Sequence, residues 1–493
     1  MRSVFDRPIV LVGLALVCAV AAFHLWVTPS NPPGYHRDEA ALSLNAYTLS
    51  SDLRDEDGAL LPLFFRSFDD YKSPLYPYVL AGVFEVTGPD ARVARRLSAV
   101  LVLAAVLLLG VLARRLTRSW LVAAIVLVAA GLTPWLFELG RMAIEATTEP
   151  LLVVLLLLWL ERTTRLELYD VRHGVAAGAL VGAIAYSYTG SRLLGPLLAG
   201  GLVVFGGSGR WRFVISAWTT FLALLVPMGV YELRHPGNLT SRYEATTIAR
   251  DGLSRPRVVL QAIGNWFRDV DPWHWATAGD PAPYIHNGGY GAMFAAVVAL
   301  ALAGAVIVLV RRRQDLWWRY VLVATVLVPI PAALTVDRYN AIRLAALPVF
   351  LLVLAIPALD ALVNACRRSW WARVAATVLV VSAGIQFAQF LDSYRTRGPA
   401  RLVLFDAGVE PLLDRPFAAG ETIYVDFDDR GAQAQARWHA AARGLPDDRV
   451  VILADGGIPP VGSLVFLRFQ DCDYACEEVA RWEEYRLARA AGP

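Results

Sequence analysis

The sequence predicts an α-helical polytopic membrane protein of about eleven transmembrane helices, with outer-face juxtamembrane helices and a small C-terminal α/β domain. Three observations predict it. Of 493 residues, 56% are hydrophobic and only 18% are charged, with a mean hydropathy of +0.47, above what a water-soluble surface permits. Apolar runs of about 20 residues, each long enough to cross about 30 Å of hydrocarbon, recur through most of the chain. Arginine gathers in every second connection between them.

The runs fall at roughly 8–28, 94–114, 119–137, 148–161, 174–190, 192–206, 212–232, 289–310, 317–336, 342–364 and 370–391. Between them lie Arg114, Arg115 and Arg118, then Arg162, Arg165 and Arg172, then Arg210 and Arg212, then Arg311 to Arg313, then Arg367, Arg368 and Arg373. The positive-inside rule makes these loops cytoplasmic, together with the start of the chain (Arg2, Arg7). It places 29–93, 233–288 and the tail after about 392 on the outer face of a cytoplasmic membrane. The first run could instead be a signal peptide, with Ala19, Ala21 and Ala22 near its end, but its apolar stretch is longer than a usual signal core. An uncleaved anchor is preferred.

The tail differs in character. Charge density rises, and short β-prone runs (Thr422 to Val425, Val450 to Leu453, Leu464 to Phe469) alternate with helix-like segments at 431–443 and 475–490. The predicted division is a transmembrane domain over 1–395 and an outer α/β domain over 396–493. Cys472 and Cys476 share that outer domain, where a disulfide is permitted. Residues four apart on one helix hold their Cβ atoms too far apart for a bridge. A disulfide therefore requires the helix to start between them; a metal site using both thiols and Asp473 fits less well.

With 46 basic and 43 acidic residues, the net charge of +3 gives no support for a nucleic-acid partner. Position matters more than the sum, because Lys72 is the only lysine in the chain. Coding-DNA composition can replace lysine by arginine, and one survivor can be chance. Chemistry offers a second reason, since a compact ammonium and a planar guanidinium are not equivalent at a crowded anion site.

The outer loop after the first run carries Tyr35-His36-Arg37-Asp38-Glu39, followed by a stretch with Ala40, Leu44 and Tyr47 on one helical face. Asp38 and Glu39 could deprotonate a hydroxyl arriving at the membrane surface, or could cap the helix, where anions are favoured. Farther on, Phe68-Asp69-Asp70-Tyr71-Lys72-Ser73-Pro74-Leu75-Tyr76-Pro77-Tyr78 joins carboxylates, the lone lysine and three tyrosines before an apolar segment too short to span. This places a site at the level of lipid headgroups, where Lys72 can pair with a phosphate; the alternative is an aromatic belt with a snorkelling lysine. Three further clusters fall where runs emerge outside: Arg141 with Glu145, Arg192 after Tyr186-Ser187-Tyr188, and Asp337-Arg338-Tyr339-Asn340 followed by Arg343. Charges at membrane depth are costly unless paired or lining a wet cavity, so these line a common pocket or brace the bundle. Trp266, Trp273 and Trp275 in 233–288 could stack on a sugar or anchor the loop at the interface.

The set resembles the GT-C glycosyltransferases, specifically the branch of protein O-mannosyltransferases and aminoarabinose transferases. The resemblance covers most of the chain. It rests on Arg37-Asp38-Glu39-Ala40, Asp70-Tyr71-Lys72-Ser73-Pro74-Leu75-Tyr76, Arg95-Arg96-Leu97-Ser98, and Pro134-Trp135 with Arg141 and Glu145. Later echoes are Tyr186-Ser187-Tyr188 with Ser191-Arg192, Gly279-Asp280 and Ala341-Ile342-Arg343. It implies that Asp38 is the catalytic carboxylate and Lys72 a ligand of the donor phosphate. Asn340 stands where relatives often have histidine, and Ser73 where many have proline, which leaves details of donor binding open.

The expected activity is inverting transfer of a sugar from a polyprenyl-phosphate donor to an acceptor hydroxyl of a protein, lipid or glycan. Asp38, beside Glu39, acts as base. Lys72, Arg343 and Arg192 hold the donor phosphate, and Asp70, Tyr71, Tyr76, Arg141, Glu145 and Asn340 position the substrates. No glycine-rich nucleotide loop or metal-ligand cluster stands out in the sequence, so neither cofactor nor metal is expected. The expected partners are the lipid donor, the acceptor and membrane lipids. A transporter or flippase of polyprenyl-linked sugars is the rival reading; it would favour repeated halves and broken helices at mid-membrane. No obvious internal repeat supports it. A structural or sensory protein would leave Asp38 and Lys72 without a role.

Overall fold

A computed structural model describes residues 6–26, 31–68, 70–251, 254–469, 472 and 474–491. Arg2, the 27–28 end of the first run, Asp69 and Asp473 lie outside the described residues. The chain divides into two compact units.

The first unit comprises 1–27, 98–141 and 145–394. Every apolar run of the sequence coincides with a helix: Asp6–Leu25, Ala91–Thr117, Trp120–Leu132, Glu149–Arg165, Val171–Ala185, Ser191–Gly201, Trp211–Arg234, Ala295–Arg311, Leu316–Leu327, Leu347–Cys366 and Trp370–Thr396. Among the described residues, five helices are long and apolar enough to cross a membrane: Ala91–Thr117, Trp211–Arg234, Leu316–Ala333, Leu347–Cys366 and Trp370–Ala400. Of the others, Asp6–Leu25 has 20 residues and the rest have 17 or fewer. Local chemistry starts and stops them. Ser119, Asp170 and Asp315 accept bonds from the first-turn amides of Val122, His173 and Trp317. Arg114, Arg115, Arg162, Arg165 and Arg311 fall in last turns, where the helix dipole favours a cation.

Apolar side chains face outward along these helices, as with Trp370, Trp371, Val378, Val380 and Ile385. Such a surface suits hydrocarbon, not water. Inside the unit, small residues let backbones approach. Gly174, Gly178 and Gly182, spaced by four, face the Trp211–Arg234 helix, and a Cβ there would meet the Phe213 carbonyl, the Ala217 carbonyl and Leu224 respectively. Indole N–H groups tie other helices together, Trp317 to the Leu157 carbonyl and Trp218 to that of Ala199.

The second unit comprises 28–97, 142–144 and 395–493, so the loop after the first run shares a compact body with the tail. Its first part holds the Arg37–Asp52 helix, the antiparallel hairpin of β1 (Phe65–Ser67) and β2 (Asp70–Lys72), and the Leu75–Thr87 helix. The tail forms a five-stranded sheet of β3 (Ile423–Val425), β4 (Val450–Ile452), β5 (Leu464–Arg468), β6 (Cys476–Trp482) and β7 (Tyr485–Ala490), in the order β4-β3-β5-β7-β6. β3 runs parallel to β4 and β5, while β7 is antiparallel to β5 and β6. Leu413, Ile423, Val425, Ala436, Phe466 and Leu487 pack between this sheet and the Val409–Ala418 and Arg430–Ala441 helices.

One expectation is overturned: 475–490 is not helical but the β6–β7 hairpin. Its Ala, Glu and Arg content favours helix, yet alternate burial of Tyr485 and Leu487 against Phe466 on β5 gives more than propensity can. Cys472 and Cys476 form a disulfide. The condition that no helix continue through both is met by a strand beginning at Cys476.

Candidate active site

The Arg37–Asp52 helix opens on a capping box. His36 Nδ1 accepts from the Asp38 amide at 3.1 Å, and the His36 amide donates to Glu39 Oε2 at 3.1 Å. The two adjacent carboxylates then diverge. Glu39 is fully buried, and its oxygens also take Arg95 Nε at 2.8 Å, Arg95 Nη2 at 2.6 Å and the Ala143 amide at 2.8 Å. Four donors on two oxygens occupy the group, so that Glu39, expected beside the base, braces the loop. Asp38 keeps 41% of its side chain exposed, with its Oδ2 3.7 Å from His36 Nδ1.

The hairpin carrying Lys72 packs on the same helix. Lys72 Nζ lies 3.2 Å from Asp70 Oδ2, and Asp70 is buried at the end of β1–β2 opposite Ser67. This ion pair fixes where the ammonium sits. Tyr71 faces Arg66 across the hairpin and is partly buried. Tyr76 is different: fully buried, its hydroxyl donates to the Ala94 carbonyl at 2.9 Å. That bond ties the Leu75–Thr87 helix to the start of the Ala91–Thr117 helix.

The tail supplies residues the sequence reading missed. Asp406 Oδ2 accepts from the Arg37 amide at 3.0 Å and from Gln435 Nε2 at 3.0 Å, while Glu484 Oε1 takes Arg37 Nη1 at 3.1 Å. Burial holds the Asp406 carboxyl above the ordinary carboxylate range, against the pull of His36, Arg37 and Gln435. Neither a repeat nor a motif marks these residues; hundreds of positions separate them from Arg37.

The other candidates lie in the first unit. Glu145 is buried and accepts from the amide and hydroxyl of Thr189, each at 3.2 Å; Glu149 is bonded by Ser191. These bonds join the 145–149 turn to 187–192, and Arg192 extends the link through Nη1 to the Leu239 carbonyl at 2.9 Å. Arg141 is buried over the Phe137 ring, with Nη1 2.9 Å from the Trp26 carbonyl. Asn340 Oδ1 accepts from the Arg343 amide at 3.0 Å, so it shapes the turn on which Arg343 stands. The Arg343 guanidinium is mostly buried and pairs with Asp337 at 2.8 Å.

That turn is held by the 233–288 loop. Asp280 accepts from the Ala341 amide at 2.7 Å, Asp269 from the Tyr339 amide at 3.2 Å, and Asn265 donates to the Ala333 carbonyl at 2.9 Å. Burial raises both Asp269 and Asp280 to about 6, the former opposed by the charges of Arg268 and Arg343. Trp275 stacks on Trp135 at 4.0 Å and donates to the Asp269 carbonyl, and Trp266 donates to the Val326 carbonyl. Trp275 is buried and Trp266 is partly buried. Trp273 is exposed.

Comparison with known structures follows this architecture along nearly its whole length. ArnT from Cupriavidus metallidurans bound to undecaprenyl phosphate is similar over 98% of this chain and 99% of its own, with a TM-score of 0.63 and 14% identity. The same protein in the apo state gives 0.59 at 12% identity over the same shares. The fold is GT-C. The Archaeoglobus fulgidus oligosaccharyltransferase tethered with an acceptor peptide containing the NVT sequon is also similar, over 90% of this chain and 64% of its own, with a TM-score of 0.50 and 14% identity. No protein-family model and no curated relative matches the sequence. Within the GT-C fold, Asp38 and Lys72 belong to the second unit, while Arg192 and Arg343 belong to the first.

Proposed function

We propose that the chain is a membrane glycosyltransferase that moves a sugar from a polyprenyl-phosphate donor to an acceptor hydroxyl on the outer face of the cytoplasmic membrane. One observation carries the reading: in a GT-C fold, the Asp38 carboxylate keeps 41% of its side chain exposed on a helix start whose backbone is held at Arg37 and Glu39. A fixed backbone with a reachable carboxylate is what general-base chemistry needs. The similar ArnT structure, which holds undecaprenyl phosphate, supports a lipid-phosphate donor. All of the roughly eleven apolar helices are proposed to cross the membrane, the shorter ones within a thinner local section.

In this mechanism Asp38 takes the acceptor's hydroxyl proton as its oxygen attacks the anomeric carbon. The bond from that carbon to the phosphate oxygen breaks, and polyprenyl phosphate leaves with added negative charge. Lys72, oriented by Asp70, stabilises that charge, and Arg343 and Arg192 are kept as further proposed ligands of the donor. A single displacement inverts the anomeric centre. Metal and cofactor have no part in the proposal.

The test is transfer of radiolabel from polyprenyl-phosphate sugars by the purified protein, against Asp38→Asn and Lys72→Ala. Loss of at least about 10²-fold in Asp38→Asn is expected. Transfer that survives Asp38→Asn removes the base from the proposal, and a wild type inert toward every such donor, with acceptor extracts supplied, ends it.

A further inference from the structure

We propose that the tail is part of the catalytic apparatus and that Asp406 is a positioning residue that sets the backbone carrying Asp38. The inference deepens the glycosyltransferase reading and, in its activity arm, rests on it.

Residues 31–39 are gripped by the tail at successive points, all within one compact unit. Arg401 Nη2 donates to Asn31 Oδ1 at 2.8 Å. Gly34 stands with φ +68° so close to Ala407 and the Phe405 carbonyl that a side chain would not fit. The Tyr35 ring stacks on Trp438 at 5.4 Å, and its carbonyl accepts from Gln435 Nε2 at 2.9 Å. At Arg37, the residue before Asp38, the amide is held by Asp406 and the guanidinium by Glu484.

Asp406 stands at the centre of this grip. Its carboxylate oxygen bridges the Arg37 amide and Gln435, which itself reaches Tyr35, so one oxygen ties the tail's helix to the loop's helix. Its own backbone is left-handed, with φ +49°, a conformation that aspartate tolerates better than most residues. Arg37 opens its helix, so its amide has no acceptor from the preceding turn. Asp406 supplies that acceptor from far along the chain. The bond caps a helix end, which stabilises the fold, and at the same time fixes the backbone on which Asp38 stands.

The experiment uses the full chain in lipid nanodiscs, as wild type, Asp406→Ala and Asp406→Asn, with two readouts. The first is hydrogen exchange at 35–39, with β5 and β7 as internal reference. The second is steady-state transfer from a polyprenyl-phosphate sugar. In Asp406→Ala, exchange at 35–39 rises at least about tenfold while β5 and β7 keep their rates, and kcat falls about ten- to hundredfold with donor KM within about twofold. Asn retains an oxygen acceptor and the tolerance for positive φ, so Asp406→Asn restores most of both. If Asp406→Ala does not fold, Glu484→Gln, which releases the Arg37 side chain, takes its place with the same expectations at smaller amplitude. Unchanged exchange at 35–39 overturns the proposal, as does faster exchange with undiminished kcat. A wild type without transfer activity defeats the glycosyltransferase reading instead, and exchange alone then decides whether Asp406 sets the loop.

Discussion

The Glu39 carboxylate and the Arg95 guanidinium meet through two bonds, of 2.8 and 2.6 Å, in a setting where Glu39 has no exposure and Arg95 very little. Breaking a buried pair leaves an uncompensated charge, which costs about 3–5 kcal/mol. Glu39→Gln is thus expected to lower the melting temperature and yield of the purified protein sharply. Asp38→Asn, one position earlier, is expected to leave melting nearly unchanged and to remove transfer. Melting curves and initial rates on the two variants check this; equal phenotypes would mean that the neighbours share one role.

Lys72 and Asp70 form the second pair, 3.2 Å apart on one strand of a short hairpin. A bond from the ammonium to a phosphate is worth about 1.5–3 kcal/mol, so Lys72→Ala should raise donor KM by about 10- to 100-fold. Lys72→Arg should recover only part of this, because the guanidinium is planar and longer. If Asp70 serves to hold Lys72, adding Asp70→Asn to Lys72→Ala changes KM little further. Donor titrations on the three variants decide it.

The helices of the first unit were legible because their signal is local: each apolar run is contained within about 20 residues. The proposal for Asp38 rests on a signal of the same local kind, since the Arg37-Asp38-Glu39-Ala40 pattern is contiguous. The fate of Glu39 was not legible, because Arg95 lies 56 positions away and nothing in either segment names the other. Asp406, 369 positions from Arg37, is the extreme case. The β6–β7 hairpin was misread because composition favours helix, whereas the deciding partner is β5. Tyr76 shows the same limit: an aromatic at the expected interface is spent on the Ala94 carbonyl instead.

Gly178 tests the close packing of the first unit. Its missing side chain admits the Ala217 carbonyl of the facing helix, so Gly178→Val forces the pair apart. Much less folded protein in the membrane fraction is expected, with a lowered melting temperature. Gly200, where an added Cβ would meet nothing within 4 Å, is the matched control, and Gly200→Val should behave as wild type. Similar yields for both variants would show that the Val171–Ala185 helix does not depend on this contact.

Asp269 gives the turn of Arg343 a pH dependence with a definite sign. Burial raises its carboxyl from the ordinary 3.8 to about 6, so the fold favours the neutral form. Its contribution to stability is complete below about 3.8 and is lost as pH rises through about 6. Asp280, also raised to about 6 by burial, adds in the same direction, so the 233–288 loop should protect its amides better near pH 4 than near pH 7. Above that window the ionised Asp269 draws on Arg343, whose charge is then shared between carboxylate and donor. A sugar phosphodiester does not titrate there, so donor KM should rise between about pH 5 and about pH 7. Asp269→Asn removes the titrating charge while leaving an oxygen for the Tyr339 amide, and should flatten that slope. Donor KM measured across the range in both proteins provides the check; parallel slopes would mean that Arg343 does not hold the donor or does not feel Asp269.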